Sequence, residues 1–143
     1  MIVPDVNLLV YAYHADDPLH VRARKWWESA LTGGEPVGLA WAAIGGFLRL
    51  MTHPRVLREP MPVAIATGHV RGWLKQPCVM ILTPGARFAT LFLNYLEASG
   101  IGGNLTTDAH LAALAVEHQA QLHSCDADFA RFSGLKWRNP LAA

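Results

Sequence analysis

Disulfide-forming cysteines, charged residues and long apolar runs are all scarce in this sequence of 143 residues. The two cysteines, Cys78 and Cys125, make no disulfide framework, and no basic-plus-apolar leader opens the chain. We therefore expect a reducing, cytoplasmic setting. The longest apolar stretch without charge, Val37 to Leu48, is interrupted by glycines and is too short to span a bilayer, so no membrane segment is expected.

The composition is that of a folded, nearly neutral protein. Hydrophobic residues make up 52% of the chain, charged residues make up only 16%, and the net charge is +1 at pH 7. This composition excludes intrinsic disorder, and the length suits one domain over residues 1–143 with a real core. The charge neither demands nor forbids a nucleic-acid partner. So few charges also favour a surface that a partner partly covers.

Short apolar runs alternate with helical patterns along the chain. The strand candidates lie at 1–5, 36–40, 78–84, 121–125 and 136–139, and amphipathic segments separate most of them. The run at 78–84 is continuously apolar, which is typical of a strand buried on both faces. The alternation predicts an α/β sandwich with a parallel sheet, in which ligands bind at the carboxyl ends of the strands.

Acidic residues fall at that same edge of the predicted sheet. Asp5 follows the first strand candidate, Asp126 and Asp128 follow the fourth, and Asp108 lies in the first turn of a helix that should point to the same edge. Clustered carboxylates repel one another unless a cation compensates, and oxygen ligands suit Mg²⁺ or Mn²⁺. Such a site can hold a phosphodiester oxygen and activate a water. From the residues alone, we expect an acidic metal site of a hydrolase or a phosphotransferase.

Each acid also has a purely structural interpretation. Asp5 and Asp108 could cap the helices that follow them, and Asp126 could be a turn residue before Asp128. Convergence of three chain segments on one edge of the sheet favours the functional interpretation.

Four segments carry a family resemblance: "DVNLLVYAYH", "FLRLMTHPRV", "NLTTDAHLAALAVEH" and "SCDADFARFSGLKWRNPL". In order and spacing they resemble PIN-domain ribonucleases, specifically the VapC toxins of bacterial VapBC toxin–antitoxin pairs in the subgroup abundant in mycobacteria. The resemblance implies a three-layer α/β/α sandwich with a central parallel sheet. It implies a Mg²⁺- or Mn²⁺-dependent endoribonuclease that cuts a tRNA or a ribosomal RNA. It also implies a homodimer that a VapB-type antitoxin inhibits.

The resemblance carries the metal-binding and catalytic roles to Asp5, Asp108 and Asp126. One position departs from the family pattern, because Gly46 stands where PIN nucleases usually carry a glutamate just before a phenylalanine. The missing carboxylate favours weak metal binding and a single ion. We expect Gly46→Glu to add a carboxylate within reach of that ion. We also expect it to reduce the destabilisation that the glycine pair causes in its helix.

Supporting roles follow from the same motifs. Asn7 matches the small polar position that orients the first motif, Ser124 replaces a threonine and keeps its hydroxyl, and Asp128 matches an additional acid of many members. Arg49 and Arg55 belong to a basic stretch that is either an RNA-backbone contact or a solvated helix end and loop.

Two other functions compete with the ribonuclease. A catalytically weak PIN domain that mainly binds antitoxin or RNA is favoured by Gly46. An aspartyl-phosphate phosphotransferase would use Asp5 as its nucleophile. The sequence argues against the latter, because the first motif is D-V-N with no second carboxylate two residues on, and no suitably placed lysine is evident.

Overall fold

The structure, a computed structural model, describes residues 1–100, 102–103 and 105–142. In chain order the elements are β1 (Ile2–Pro4), α1 (Val6–Tyr13), α2 (His20–Thr32), β2 (Val37–Leu39), α3 (Trp41–Met51), α4 (Val63–Leu74), β3 (Val79–Ile81), α5 (Phe88–Ser99), α6 (Leu105–Glu117), β4 (Gln121–His123) and β5 (Lys136–Arg138). A 3-10 helix, Ala127–Arg131, connects β4 to β5.

The strands form a parallel sheet in the order β3-β2-β1-β4-β5. Crossovers between parallel strands are right-handed, so the direction of each connection decides which face its helices cover. Helices α1 to α4 lead from β1 towards β3 and cover one face, whereas α5 and α6 lead back from β3 to β4 and cover the other. Accordingly, α1 packs on α2 and α3, and α5 packs on α6. The predicted three-layer α/β/α sandwich with a central parallel sheet is confirmed.

The chain changes direction across the sheet between β1 and β4. Strands β1, β2 and β3 run outward from the centre to one edge, and the chain then returns to place β4 on the other side of β1. Such a switch point leaves a crevice outside the carboxyl ends of the two central strands, because the connections leave in opposite directions. Any site at this crevice is built from the residues that directly follow β1 and β4.

Aromatic side chains connect three helices of the first layer, α1, α2 and α4. The rings of Trp27 on α2 and Trp73 on α4 lie 5.4 Å apart and nearly perpendicular, and both are buried. The indole N–H of Trp73 donates to the hydroxyl of Tyr13 at the end of α1, over 2.8 Å. These contacts fix the helix that begins directly after Asp5.

Two local predictions differ from the structure. The strand expected to be buried on both faces is β3, which lies at the edge of the sheet with Met80 48% exposed. An edge strand lies at the margin of both helical layers, so an apolar run alone does not ensure burial. Helix α6 begins at Leu105, so Asp108 is its fourth residue and not its cap. The glycine-rich approach to this helix includes Ile101 and Asn104, which lie outside the described residues.

Both cysteines, Cys78 and Cys125, are free thiols. Within the described ranges, no helix is both long enough and apolar enough to cross a membrane.

Candidate active site

The pairing of β1 with β4 brings Asp5 and Ser124 together. Pro4 lies opposite His123 in this parallel pair, so the two residues that follow leave the strands side by side. The N–H of Asp5 donates to the carbonyl of His123 over 2.9 Å, and the hydroxyl of Ser124 donates to Oδ2 of Asp5 over 2.7 Å. Asp5 is 8% exposed and Ser124 is fully buried. A buried carboxylate therefore lies at the switch point of the sheet.

Asp5 also caps helix α1. Its backbone is extended, and its Oδ1 accepts the N–H of Val6 over 2.7 Å. Burial raises the pKa of Asp5, while the hydrogen bonds from Ser124 and Val6 lower it and the charge of Asp126 raises it again. The capping interpretation of Asp5 is thus correct, and it does not compete with a functional role, because the same side chain lies beside a second acid.

Asp126 is held by the residues around it. Its N–H donates to Oγ of Ser124 over 2.9 Å, and its Oδ1 accepts the N–H of Asp128 over 2.9 Å, which caps the 3-10 helix. The side-chain amide of Asn7 donates to the same Ser124 oxygen over 3.3 Å. One buried hydroxyl therefore contacts three of the predicted site residues: Asp5, Asp126 and Asn7.

Asp108 reaches the site from the opposite helical layer. It is half-buried in the first turn of α6, and burial raises its pKa to about 6. That value includes the negative charges of Asp5, Asp126 and Asp128, which also raise the pKa, and the positive charge of Arg131, which lowers it. The interaction with Asp5 and Asp126 means that acids from three separate segments share one electrostatic environment.

These acids line a single cleft of about 640 Å³. Helices α1 and α3 supply other parts of its wall. The lining includes Asp5, Asp108 and Asp126, together with Asn7, Tyr11, Gly46, Arg49 and Thr107. The structure thus brings the three predicted catalytic acids, Asn7 and Arg49 to one place.

Two predicted residues lie away from the cleft wall. Among the described residues that line it, neither Asp128 nor Arg55 is included. Asp128 is exposed and pairs with Arg131, with 3.5 Å between Oδ1 and Nη2. Arg55 lies in an exposed turn, where its N–H donates to Nδ1 of His53 over 3.0 Å. Asp128 therefore acts on the cleft through its charge and through the N–H that it donates to Asp126.

Gly46 lies on the cleft, as expected for the residue that replaces the usual glutamate. A Cβ at this position would lie 2.8 Å from Cγ2 of Val6, which is closer than carbon atoms tolerate. The expected stabilisation by Gly46→Glu is therefore wrong: overpacking costs about 1–3 kcal/mol, whereas replacing a helical glycine gains about 0.5–1 kcal/mol. Val6 fills the space that the β-carbon of an acid would need.

Tyr11 and Thr107 line the cleft but were not predicted from the sequence. Tyr11 follows Asn7 by four residues on α1, so the two side chains share a helix face. Thr107 directly precedes Asp108 on α6. Helical spacing from the predicted residues was the signal that could have identified Tyr11.

The oxygen atoms of the cleft bear on whether it suits a divalent cation. In the part of the chain that the structure describes, no group of three or more His, Cys, Asp or Glu side chains is arranged so that it could hold a metal ion. The donors nevertheless fit a hydrated ion, because Mg²⁺ keeps several waters and takes oxygen ligands. Among the described residues, none donates a hydrogen bond to the buried Oδ1 of Asn7. The acids that raise the pKa of Asp108 carry negative charge that a cation would offset.

Comparison with known proteins places this site in a family. The family model of the PIN domain matches residues 2–135. The chain belongs to the PIN domain family. This PIN protein is similar to Ribonuclease VapC33 of Mycobacterium tuberculosis, with 48% identity over 141 residues that cover 99% of each chain. The family predicted from the sequence, that of the VapC ribonucleases, is confirmed.

Solved structures of low sequence identity share the fold of this PIN protein. VapC20 of Mycobacterium tuberculosis, described as a Sarcin-Ricin loop cleaving toxin, aligns with a TM-score of 0.69 at 19% identity, over 95% of this chain and 99% of that one. VapBC-1 from nontypeable Haemophilus influenzae aligns with a TM-score of 0.70 at 16% identity, over 99% of this chain and 100% of that one.

Proposed function

We propose that this PIN protein is the toxin of a VapBC-type pair and hydrolyses RNA phosphodiester bonds with a divalent cation bound by Asp5, Asp108 and Asp126. The observation that carries the proposal is that three carboxylates from separate chain segments line one cleft at the switch point of the sheet. Similarity to a protein named as a VapC ribonuclease supports RNA as the substrate.

The residues of the chain prepare the cleft for this reaction. When bound, Mg²⁺ or Mn²⁺ would supply positive charge that stabilises the phosphate in the transition state and makes water a stronger nucleophile. Ser124 and the N–H of Val6 hold the two oxygens of Asp5 before substrate arrives. Arg49, which lines the cleft and is exposed, offers a positive charge to an RNA phosphate.

Cleavage of RNA in defined metal conditions tests this proposal. Purified protein without antitoxin should cut RNA in Mg²⁺ or Mn²⁺ and should lose this activity in excess EDTA. Expression without antitoxin should arrest growth. Full cleavage in EDTA would contradict a metal-dependent nuclease.

A catalytically weak PIN domain is the second candidate. It is favoured by Val6, which fills the space beside Gly46, and by the lack of a preformed group of metal ligands among the described residues. This candidate predicts that the chain binds RNA or antitoxin and that adding Mn²⁺ produces no RNA cleavage. The metal experiment therefore distinguishes the two candidates.

A protein partner is the second part of the proposal. Large apolar side chains stay exposed on the chain, among them Val21 at 67%, Trp41 at 58% and Val63 at 65%. Exposed apolar surface is typical of interaction sites, so we propose a homodimer that binds a VapB-type antitoxin. Sedimentation of the free chain as a monomer would contradict the dimer.

The antitoxin should act on the acid cluster itself. An Arg or Lys from its tail, placed among Asp5, Asp108 and Asp126, would replace the cation electrostatically. A high concentration of Mg²⁺ should then restore RNA cleavage by the complex of this chain with its antitoxin. Inhibition that does not change with Mg²⁺ concentration would exclude simple competition for these acids.

A further inference from the structure

Tyr11 is the one tyrosine that the described residues place on the wall of the acidic cleft. It lies on α1, half-buried, four residues after Asn7. Its main-chain carbonyl accepts a hydrogen bond from Nδ1 of His20 over 2.8 Å, which ties this turn of the helix to α2. The backbone that carries the Tyr11 side chain is therefore tied to a second helix.

The hydroxyl of Tyr11 differs from those of the other two tyrosines. Trp73 donates to the hydroxyl of Tyr13 over 2.8 Å, and the hydroxyl of Tyr95 donates to the carbonyl of Ser133 over 2.6 Å. Of the hydrogen bonds formed by described residues, none involves the hydroxyl of Tyr11. The Tyr11 hydroxyl is also not among the fully buried polar atoms, so on the wall of the cleft it is accessible and available to donate to a ligand.

The surroundings of Tyr11 keep its hydroxyl protonated. Burial raises the pKa of Tyr11, and nearby Asp17, Cys125, Asp5 and Asp126 raise it further. The phenol is thus a neutral hydrogen-bond donor among carboxylates, and none of these carboxylates accepts its hydrogen bond. A ligand that satisfies it must bring an acceptor into an anionic cleft.

The backbone of RNA offers such acceptors where the proposed reaction takes place. Its phosphate and ribose oxygens enter the cleft together with the phosphodiester that is cut, and Tyr11 shares this cleft with all three acids. We propose, on the basis of the function proposed above, that Tyr11 binds the RNA substrate directly, its hydroxyl donating to a sugar–phosphate oxygen beside the scissile phosphodiester. A neutral donor can hold this oxygen without competing for the cation.

Replacing the hydroxyl alone tests this role. Tyr11→Phe keeps the ring, and an Asp5→Asn background keeps the RNA intact during binding. Fluorescence anisotropy with a short labelled single-stranded RNA of mixed sequence, in Mn²⁺, should show Kd raised about tenfold by Tyr11→Phe, as expected for the loss of one hydrogen bond. With Asp5 present, KM for cleavage should rise in parallel while kcat stays nearly unchanged.

Tyr95→Phe is the matched control, because it removes a hydroxyl that has a partner within the protein. It should lower Tm through loss of the bond to Ser133 and leave the Kd for RNA unchanged. Tyr11→Phe should do the opposite, with an unchanged Tm and a weaker Kd. A fall in Tm for Tyr11→Phe as large as that for Tyr95→Phe would assign the hydroxyl a structural role and overturn the proposal.

The remaining outcomes separate this inference from the proposed function. RNA binding by Tyr11→Phe that equals the parent overturns the inference, even if Tyr11→Leu binds more weakly, because that result assigns the contact to the ring. Normal cleavage by Asp5→Asn would overturn the proposed function. The role of Tyr11 would then still be tested by comparing the KM for cleavage of Tyr11→Phe with that of the parent. A parent chain that binds no RNA would overturn both.

Discussion

The hydroxyl of Ser124 lies 2.7 Å from Oδ2 of Asp5 and connects the ends of two neighbouring parallel strands. The same oxygen accepts the N–H of Asp126 over 2.9 Å. A single buried hydroxyl thus sets the distance between two acids that are far apart in the sequence. The register of β1 and β4 places Asp5 beside Ser124, and the short segment after β4 brings Asp126 to the same hydroxyl.

Ser124→Ala should therefore weaken both the fold and the site. The change leaves Oδ2 of Asp5 and the N–H of Asp126 without their partner, and an unsatisfied buried group costs about 1–3 kcal/mol. Urea unfolding should show a loss of this size, and RNA cleavage should fall. Ser29→Ala, at an exposed serine of α2, is the control. Equal losses in the two variants would contradict the role of Ser124.

Asp108 should make the metal-free protein less stable as the pH rises from acid to neutral. Its pKa is raised from 3.8 to about 6 in the folded protein, so the folded state binds this proton more tightly than the unfolded state does. The resulting loss of stability is absent below pH 3.8, grows through the range up to about pH 6 and is complete above it.

Asp108→Asn removes this titration. In EDTA, the free energy of unfolding of the variant, measured by thermal unfolding, should rise relative to that of the parent between pH 4 and pH 7. The rise should be on the order of 1 kcal/mol once solvent screening of the half-exposed group is allowed for. Asp16→Asn, at an exposed acid outside the cleft, is the control for the loss of one negative charge. A difference between Asp108→Asn and the parent that is independent of pH would contradict the raised pKa.

Sequence reasoning located the acids because strand ends are visible in the pattern. One apolar run ends at Asp5 and another ends shortly before Asp126. In a parallel sheet, the carboxyl ends of the strands lie at the same edge, so residues that follow them come together. The hydrogen bonds of Ser124 were not predictable, since they depend on the register of β1 with β4. The exposed position of β3 was missed for a similar reason, because order in the sheet is a property of the whole topology.

The Gly46 position shows what packing adds to a motif. The family pattern identified the missing carboxylate, and α3 does lie along the cleft. The side chain that fills the space, Val6, follows Asp5 directly, yet nothing in the sequence relates it to Gly46. Contacts between helices α1 and α3 decide this relationship, and they appear only when the helices are packed.

Gly46→Ala should destabilise the protein although alanine favours helices. The added Cβ would lie 2.8 Å from Val6, whereas a Cβ at Gly45 on the same helix would meet nothing within 4 Å. Gly45→Ala is therefore the matched control and should stabilise by about 0.5–1 kcal/mol. Urea unfolding should give opposite signs for the two variants. Stabilisation of similar size by both would contradict the close approach of α1 and α3.

An acid at position 46 should strengthen metal binding only when the side chain of Val6 is made smaller. Gly46→Glu in a Val6→Ala background should bind Mn²⁺ more tightly than Val6→Ala alone in calorimetric titration, because the cleft gains an oxygen ligand. Gly45→Glu in the same background places its acid on an exposed part of α3 and should leave Mn²⁺ affinity unchanged. No gain from Gly46→Glu would mean that this helix position does not face the ion.

The central claim is that Asp5 holds the cation on which RNA cleavage depends. Its most direct test is the cleavage rate of Asp5→Asn measured over a range of Mn²⁺ concentrations beside the parent and Asp16→Asn. Asparagine keeps an oxygen for the N–H of Val6, so the fold should be retained while one ligand charge is lost. The account predicts a loss of cleavage by at least about 100-fold for Asp5→Asn and parent-like rates for Asp16→Asn. Cleavage by Asp5→Asn at the parent's rate and metal dependence would contradict it.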